Sequence, residues 1–200
     1  MIYEQDAPKT YTKDKLRGVY ENYCIIGALL SKNGDGNWTV WNTNPEEENY
    51  WDPKSDEATT PLEQYGEVVA VCLGRGLWAK LDWSGLTTGY KWAASKDDAI
   101  YNKYHAINIH GNGWESTNHM FTVHSDILTG TIWEQLKNEK TPDYDLYIPS
   151  KLELIEIFNN TCDGTHVDEQ YHNNSPHTFD KNISKLLNIG VTTKAYWSSS

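Results

Sequence analysis

The stretch Asp145–Asn160, DLYIPSKLELIEIFNN, carries the clearest local signal in the chain. Leu146–Ile148 reads as a short strand that Pro149 ends, and Ser150 follows as a natural helix N-cap. Glu153, three residues on, completes a capping box, in which the serine hydroxyl and the carboxylate each take one orphan helix N–H. Each such cap is worth about 1 kcal/mol. Leu152, Ile155 and Phe158 fall on one helical face with Leu154 alongside, and Asn159 and Asn160 suit the C-terminal end.

Working outward, a second helix is expected at roughly 179–188, closed by Gly190, and the final VTTKAYWSSS, residues 191–200, is β-type. The intervening CDGTHVDEQYHNNSPHT, residues 162–178, brings Asp163, His166 and His172 near one another in sequence. Those residue types can hold a metal, but a loop of this polarity most simply meets water. Upstream, Ser125–Asn138, SDILTGTIWEQLKN, approximates an amphipathic helix through Ile127, Leu128, Ile132, Trp133 and Leu136, weakened by Gly130. His105, His110 and His119 recur at spacings that fit neither one helical face nor a zinc-ligand pattern, so no metal is expected there.

Two hairpins are expected nearer the start. One pairs residues 23–31 with 37–42 through Asn33-Gly34 and Asp35-Gly36, both strong turn signals. The NGDGN turn resembles part of a calcium loop but lacks the later ligands and the bidentate glutamate, so it reads as a plain turn. The other hairpin joins Gly66–Leu73, GEVVAVCL, to Leu77–Trp83 across Gly74–Gly76. Residues 43–61, TNPEEENYWDPKSDEATTP, read as an exposed loop or linker.

Composition narrows the function classes. The 200 residues suffice for one domain with a core, or one domain and a small extension. Trp and Tyr (9 and 13) far outnumber Phe (3), which suits half-buried surfaces and clefts. A net charge of −11 with no basic stripe argues against nucleic acid as partner. Cys24, Cys72 and Cys162 are scattered and odd in number, as expected of buried thiols made in a reducing cytoplasm. No signal-peptide pattern opens the sequence, and the longest apolar run, residues 24–30, is far too short to span a membrane.

DLYIPSKLELIEIFNN together with AYWSSS resembles the pattern W-x-LP-[ST]-x-x-E-L-x-x-[LIM]-[YF]-x-N … YWSS-[ST]-E of the DUF1566 and Lcl C-terminal-like domains. Leu146, Ile148, Pro149, Ser150, Glu153, Leu154, Phe158, Asn160, Tyr196, Trp197 and Ser198 stand in the matching places; the usual tryptophan before the proline is absent. GEVVAVCLGRGLWAKLDWSG looks like that family's first hairpin and GNGWESTNHM like its Asn-Thr segment. The family is related to the C-type-lectin-like fold of formylglycine-generating enzymes and retroelement-diversified variable proteins.

The resemblance implies an α+β domain, C-type-lectin-like, over residues 61–200: a small twisted antiparallel sheet, two main helices and long loops. A β-rich segment, residues 1–60, would precede it and dock to a particle or oligomerise. It further implies that strands follow YWSS, so the chain is expected to continue past Ser200 or to receive those strands from another chain. The function implied is non-enzymatic: a phage structural or adhesion protein, such as a tail fibre, displaying a surface for a host receptor or glycan. Its partners would be that receptor or glycan, other virion proteins and copies of itself. The location would be the virion, after synthesis in the host cytoplasm, with no membrane insertion and no cofactor. The alternative is a purely architectural virion component; a bacterial surface adhesin or an enzyme ranks lower, since no nucleophile motif or matching redox cysteine pair is present. The family's ligand face lies largely after YWSS; among the residues present, Trp114, Asn118 and Trp197 are the candidate ligand contacts.

Overall fold

The computed structural model describes residues 9–12, 23, 25–42, 50–55, 62–74, 76–81, 112–123, 128–139, 146–161 and 182–187. These residues form a mixed α/β structure. Its strands are β1 (Lys9–Tyr11), β2 (Leu29–Lys32), β3 (Trp38–Trp41), β4 (Glu67–Gly74) and β5 (Leu77–Lys80). Its helices are α1 (Gly113–Val123), α2 (Ile132–Glu139), α3 (Lys151–Thr161) and α4 (Asn182–Leu186), with a 3-10 turn at Leu62–Tyr65. The chain divides into two compact units: residues 1–83, 156–166 and 172–194, and residues 84–155, 167–171 and 195–200. The expected boundary at residue 60 falls within the first unit, where β2 pairs with β4.

The first unit holds one antiparallel sheet in the order β1-β3-β2-β4-β5. Both expected hairpins are in it. The β2–β3 register sets Leu30 against Val40 and Lys32 against Trp38. The turn between them is closed by Asn33 N–H to the Asn37 carbonyl (2.8 Å) and Gly36 N–H to the Asn33 carbonyl (2.9 Å). Asp35 accepts from the Asn37 backbone N–H and side-chain amide, each at 3.0 Å, which holds its carboxyl below its ordinary value. Thr39 bonds across the turn to Asn33 (3.2 Å) and meets Thr10 of β1 at 3.3 Å. Leu29, Leu30, Val71 and Cys72 are all buried, so the middle of the sheet is covered on both faces and its strands read as apolar runs rather than as alternation. Cys72 is buried, its thiol 3.7 Å from the Tyr23 carbonyl; Cys24 and Cys162 lie outside the described residues.

Strand β2 begins at Leu29, six residues later than residue 23, because Gly27 sits at φ +89° in a turn. Its N–H reaches the Cys72 carbonyl at 2.8 Å, and an added Cβ would lie 2.6 Å from Pro53 Cβ. The 43–61 stretch is not exposed throughout: Trp51 is buried, and residues 52–55 cap α4. Asn182 donates its backbone N–H to the Ser55 carbonyl (2.9 Å) and its side-chain amide to the Asp52 carbonyl (2.8 Å), while Ile183 N–H reaches the Pro53 carbonyl (3.2 Å). Helix α4 lies inside the expected 179–188, with Leu187 in a turn after it; residues 179–181 and 188 lie outside the described set.

In the second unit, Met120 of α1, Leu128, Trp133 and Leu136 of α2, and Ile148 form one apolar cluster, with Phe121, Ile132 and Leu146 packed on it. Helix α2 starts at Ile132 rather than near residue 125. Gly130 (φ +74°) turns the chain, the Thr131 carbonyl accepts the first helical bond from Gln135 N–H (3.3 Å) while its hydroxyl donates to the Leu128 carbonyl, and Glu134 accepts the Gly130 N–H (2.7 Å). Leu146–Ile148 forms no strand. Ile148 N–H is satisfied instead by the buried Thr117 hydroxyl of α1 at 3.0 Å. Helix α3 does follow the capping box; its residues 156–161 belong to the first unit, and its buried residues differ from the expected ones. Ile157 and Thr161 are the buried residues, Ile155 and Phe158 are half-buried, and Leu152 is exposed. The stripe 154, 157, 158, 161 keeps helical spacing better than 152, 155, 158, which drifts off the face.

Candidate functional site

Of the three expected ligand contacts, the structure describes Trp114 and Asn118; Trp197, like Tyr196, lies outside the described residues. Trp114 and Asn118 stand one turn apart on α1, on a single helical stripe with the exposed Thr122. Trp114 keeps 39% of its surface exposed, and Asn118 is half-buried. The opposite stripe is turned inward: Gly113, Ser116, Thr117 and Met120 are buried.

The start of α1 explains how Trp114 is held. Asn112 is the N-cap: its side-chain oxygen accepts Glu115 N–H at 3.0 Å and its carbonyl accepts Ser116 N–H at 3.2 Å. Gly113 is the first helical residue, and its orphan N–H points to Glu153 Oε2 at 2.9 Å. That same oxygen accepts Ser150 N–H at 2.6 Å, while Glu153 N–H reaches Ser150 Oγ at 3.2 Å. The capping box read from the sequence is therefore present, and its carboxylate serves a second helix as well. The other oxygen, Oε1, accepts the Tyr147 hydroxyl at 3.4 Å. A negative carboxylate at two helix N-termini is favoured by the partial positive charge of both.

Residue 113 must be glycine for packing reasons. An added Cβ would meet the Ile148 carbonyl and would lie 2.6 Å from Glu153 Oε2 and 2.7 Å from Ser150 N. Two of those three neighbours are backbone and have little room to give. Leu152, beside Glu153, is also 39% exposed. Among the described residues, Trp114 and Leu152 are the large hydrophobic side chains left exposed, and each adjoins a residue of this junction.

Chemically, this arrangement can present an aromatic surface on a defined backbone, with the exposed Glu115 next to it in the chain. Among the described residues no three His, Cys, Asp or Glu side chains come together as a metal site. His119 is half-buried on α1, and the other histidines of the expected clusters lie outside the described residues. Among the described residues no helix is long and apolar enough to cross a membrane.

The second role of Glu153, the need for Gly113 and the Thr117 tie to Ile148 were not foreseen from sequence. One signal was available: Asn112 followed three residues later by Glu115 is itself a helix-start signature. No family model, curated protein or solved structure matches the chain.

Proposed function

We propose that the protein is a non-enzymatic binding protein of a phage particle, with a lectin-like fold that displays a contact surface for a host receptor or glycan. Trp114 is the central contact, with Asn118 beside it and Trp197 as a third candidate. The observation that carries this reading is a tryptophan left 39% exposed at the start of a helix whose first turn is tied down at both of its ends. An indole face stacks on the apolar face of a sugar ring, and a neighbouring carboxamide bonds hydroxyls. The preorganised backbone reduces the ordering cost of binding. The phage setting and the lectin-like fold rest on the resemblance of DLYIPSKLELIEIFNN, AYWSSS and GEVVAVCLGRGLWAKLDWSG to the DUF1566-type pattern.

A glycan array probed with the intact protein, followed by titration of the best ligand, tests the reading. Trp114→Ala is expected to weaken that binding roughly tenfold or more, the loss of about 1–3 kcal/mol typical of a stacked aromatic anchor. Binding unchanged in Trp114→Ala overturns the assignment. A protein that binds no glycan and no host cell surface, yet sits in a particle lattice, is the architectural component instead.

A further inference from the structure

We propose that Glu153 is a positioning residue for the Trp114 face, so that recognition by α1 is set by a carboxylate that does not belong to that face. The inference rests on the reading of Trp114 as a contact residue and adds what controls it. One oxygen of Glu153 accepts both the Ser150 N–H (2.6 Å) that opens α3 and the Gly113 N–H (2.9 Å) that opens α1. Trp114 is the next residue after Gly113. A second tie, Ile148 N–H to Thr117 Oγ1 at 3.0 Å, holds the following turn of α1 to the same 146–153 segment.

Without the carboxylate, the Gly113 N–H is left buried and unbonded, an arrangement that folded chains avoid. The first turn of α1 then opens to reach water and carries Trp114 with it. Met120, two turns on, stays in its apolar cluster. Glu153 thus acts on recognition through the backbone. The contrast with Ser150 makes this separable from simple helix capping. Among the described residues Ser150 Oγ accepts only Glu153 N–H, within α3, and makes no bond to α1.

The test is fluorine NMR of the full chain labelled with 5-fluorotryptophan, the Trp114 and Trp133 signals being assigned by Trp114→Phe and Trp133→Phe. Glu153→Ala is expected to move or broaden the Trp114 signal by more than its own linewidth, with the Trp133 signal in place. Ser150→Ala, which weakens the same helix cap, is expected to leave both signals where they are. Glu153→Gln, uncharged but still an acceptor, is expected to give a smaller change of the same kind, and is the variant read if Glu153→Ala does not fold. A Trp114 signal indifferent to Glu153→Ala, or to Glu153→Gln where that is the variant read, overturns the proposal. So does one that Ser150→Ala moves equally. The signals need no ligand, so the two readings fail separately. A glycan lost by Trp114→Ala with an unmoved signal in Glu153→Ala overturns the positioning role alone. A moved signal in a protein that binds nothing overturns the functional reading alone.

Discussion

The β2–β3 hairpin and the start of α1 solve the same problem, satisfying backbone groups where an element ends, in opposite ways. The hairpin closes within itself: Asn33, Asp35, Gly36 and Asn37 bond to one another around its turn. The start of α1 gives its Gly113 N–H to the carboxylate of Glu153, forty positions away. A turn that closes locally tolerates change at its tip. A helix start closed at long range depends on everything that holds the two segments together.

The largest effect is expected where that long-range contact has its apolar footing. Trp133→Ala empties the largest side chain from the Met120–Leu128–Trp133–Leu136–Ile148 cluster and should cost about 3–5 kcal/mol of stability. A denaturant midpoint shifted by less than the equivalent of about 1 kcal/mol contradicts the packing described.

Glycines at the two places sharpen the contrast. Gly113→Ala puts a methyl against the Ile148 carbonyl and Ser150 N and should cost about 1–3 kcal/mol. Gly34, at the hairpin tip, faces open space without a positive φ, so Gly34→Ala should stay within about 0.5 kcal/mol. Equal losses at the two sites, measured by the same denaturation, would erase the distinction.

The smallest effect is in pH dependence. The Asn37 backbone N–H, then its side-chain amide, hold the Asp35 carboxyl below its ordinary 3.8 in the folded hairpin. A carboxyl depressed on folding contributes stability above its unfolded value, and the contribution fades as pH falls through the lower folded one. An NMR titration should find the Asp35 midpoint below 3.8, and Asp35→Asn should remove this group's share of the acid sensitivity. A midpoint at or above 3.8 means the turn bonds do not form in solution.

The same contrast governs what can be read from the sequence. The hairpins were legible because their signals are adjacent residues: Asn33-Gly34, Asp35-Gly36, and the β-branched run of β4. The box at Ser150 and Glu153 was legible for the same reason. Helix α1 was not, because its buried stripe is Gly113, Ser116, Thr117 and Met120, which presents almost no hydrophobic period. The sequence pattern sets the start of α2 too early because Ile127 and Leu128 continue an apolar spacing that Gly130 and Thr131 interrupt. Trp51 was lost among acids and prolines, although those neighbours cap α4. Trp114 and Asn118 are candidates by residue type, and the structure puts them on one stripe. That Glu153 serves two helices could not be read locally, since its second donor is forty residues away.

Amide hydrogen exchange at Gly113 measures the shared cap most directly. In the unmodified protein and in Ser150→Ala, the Gly113 amide should be protected, as a buried N–H bonded to a carboxylate. In Glu153→Ala its protection should collapse to that of a frayed helix end while the Met120 amide stays protected. A Gly113 amide equally protected with and without the Glu153 carboxylate would contradict the account.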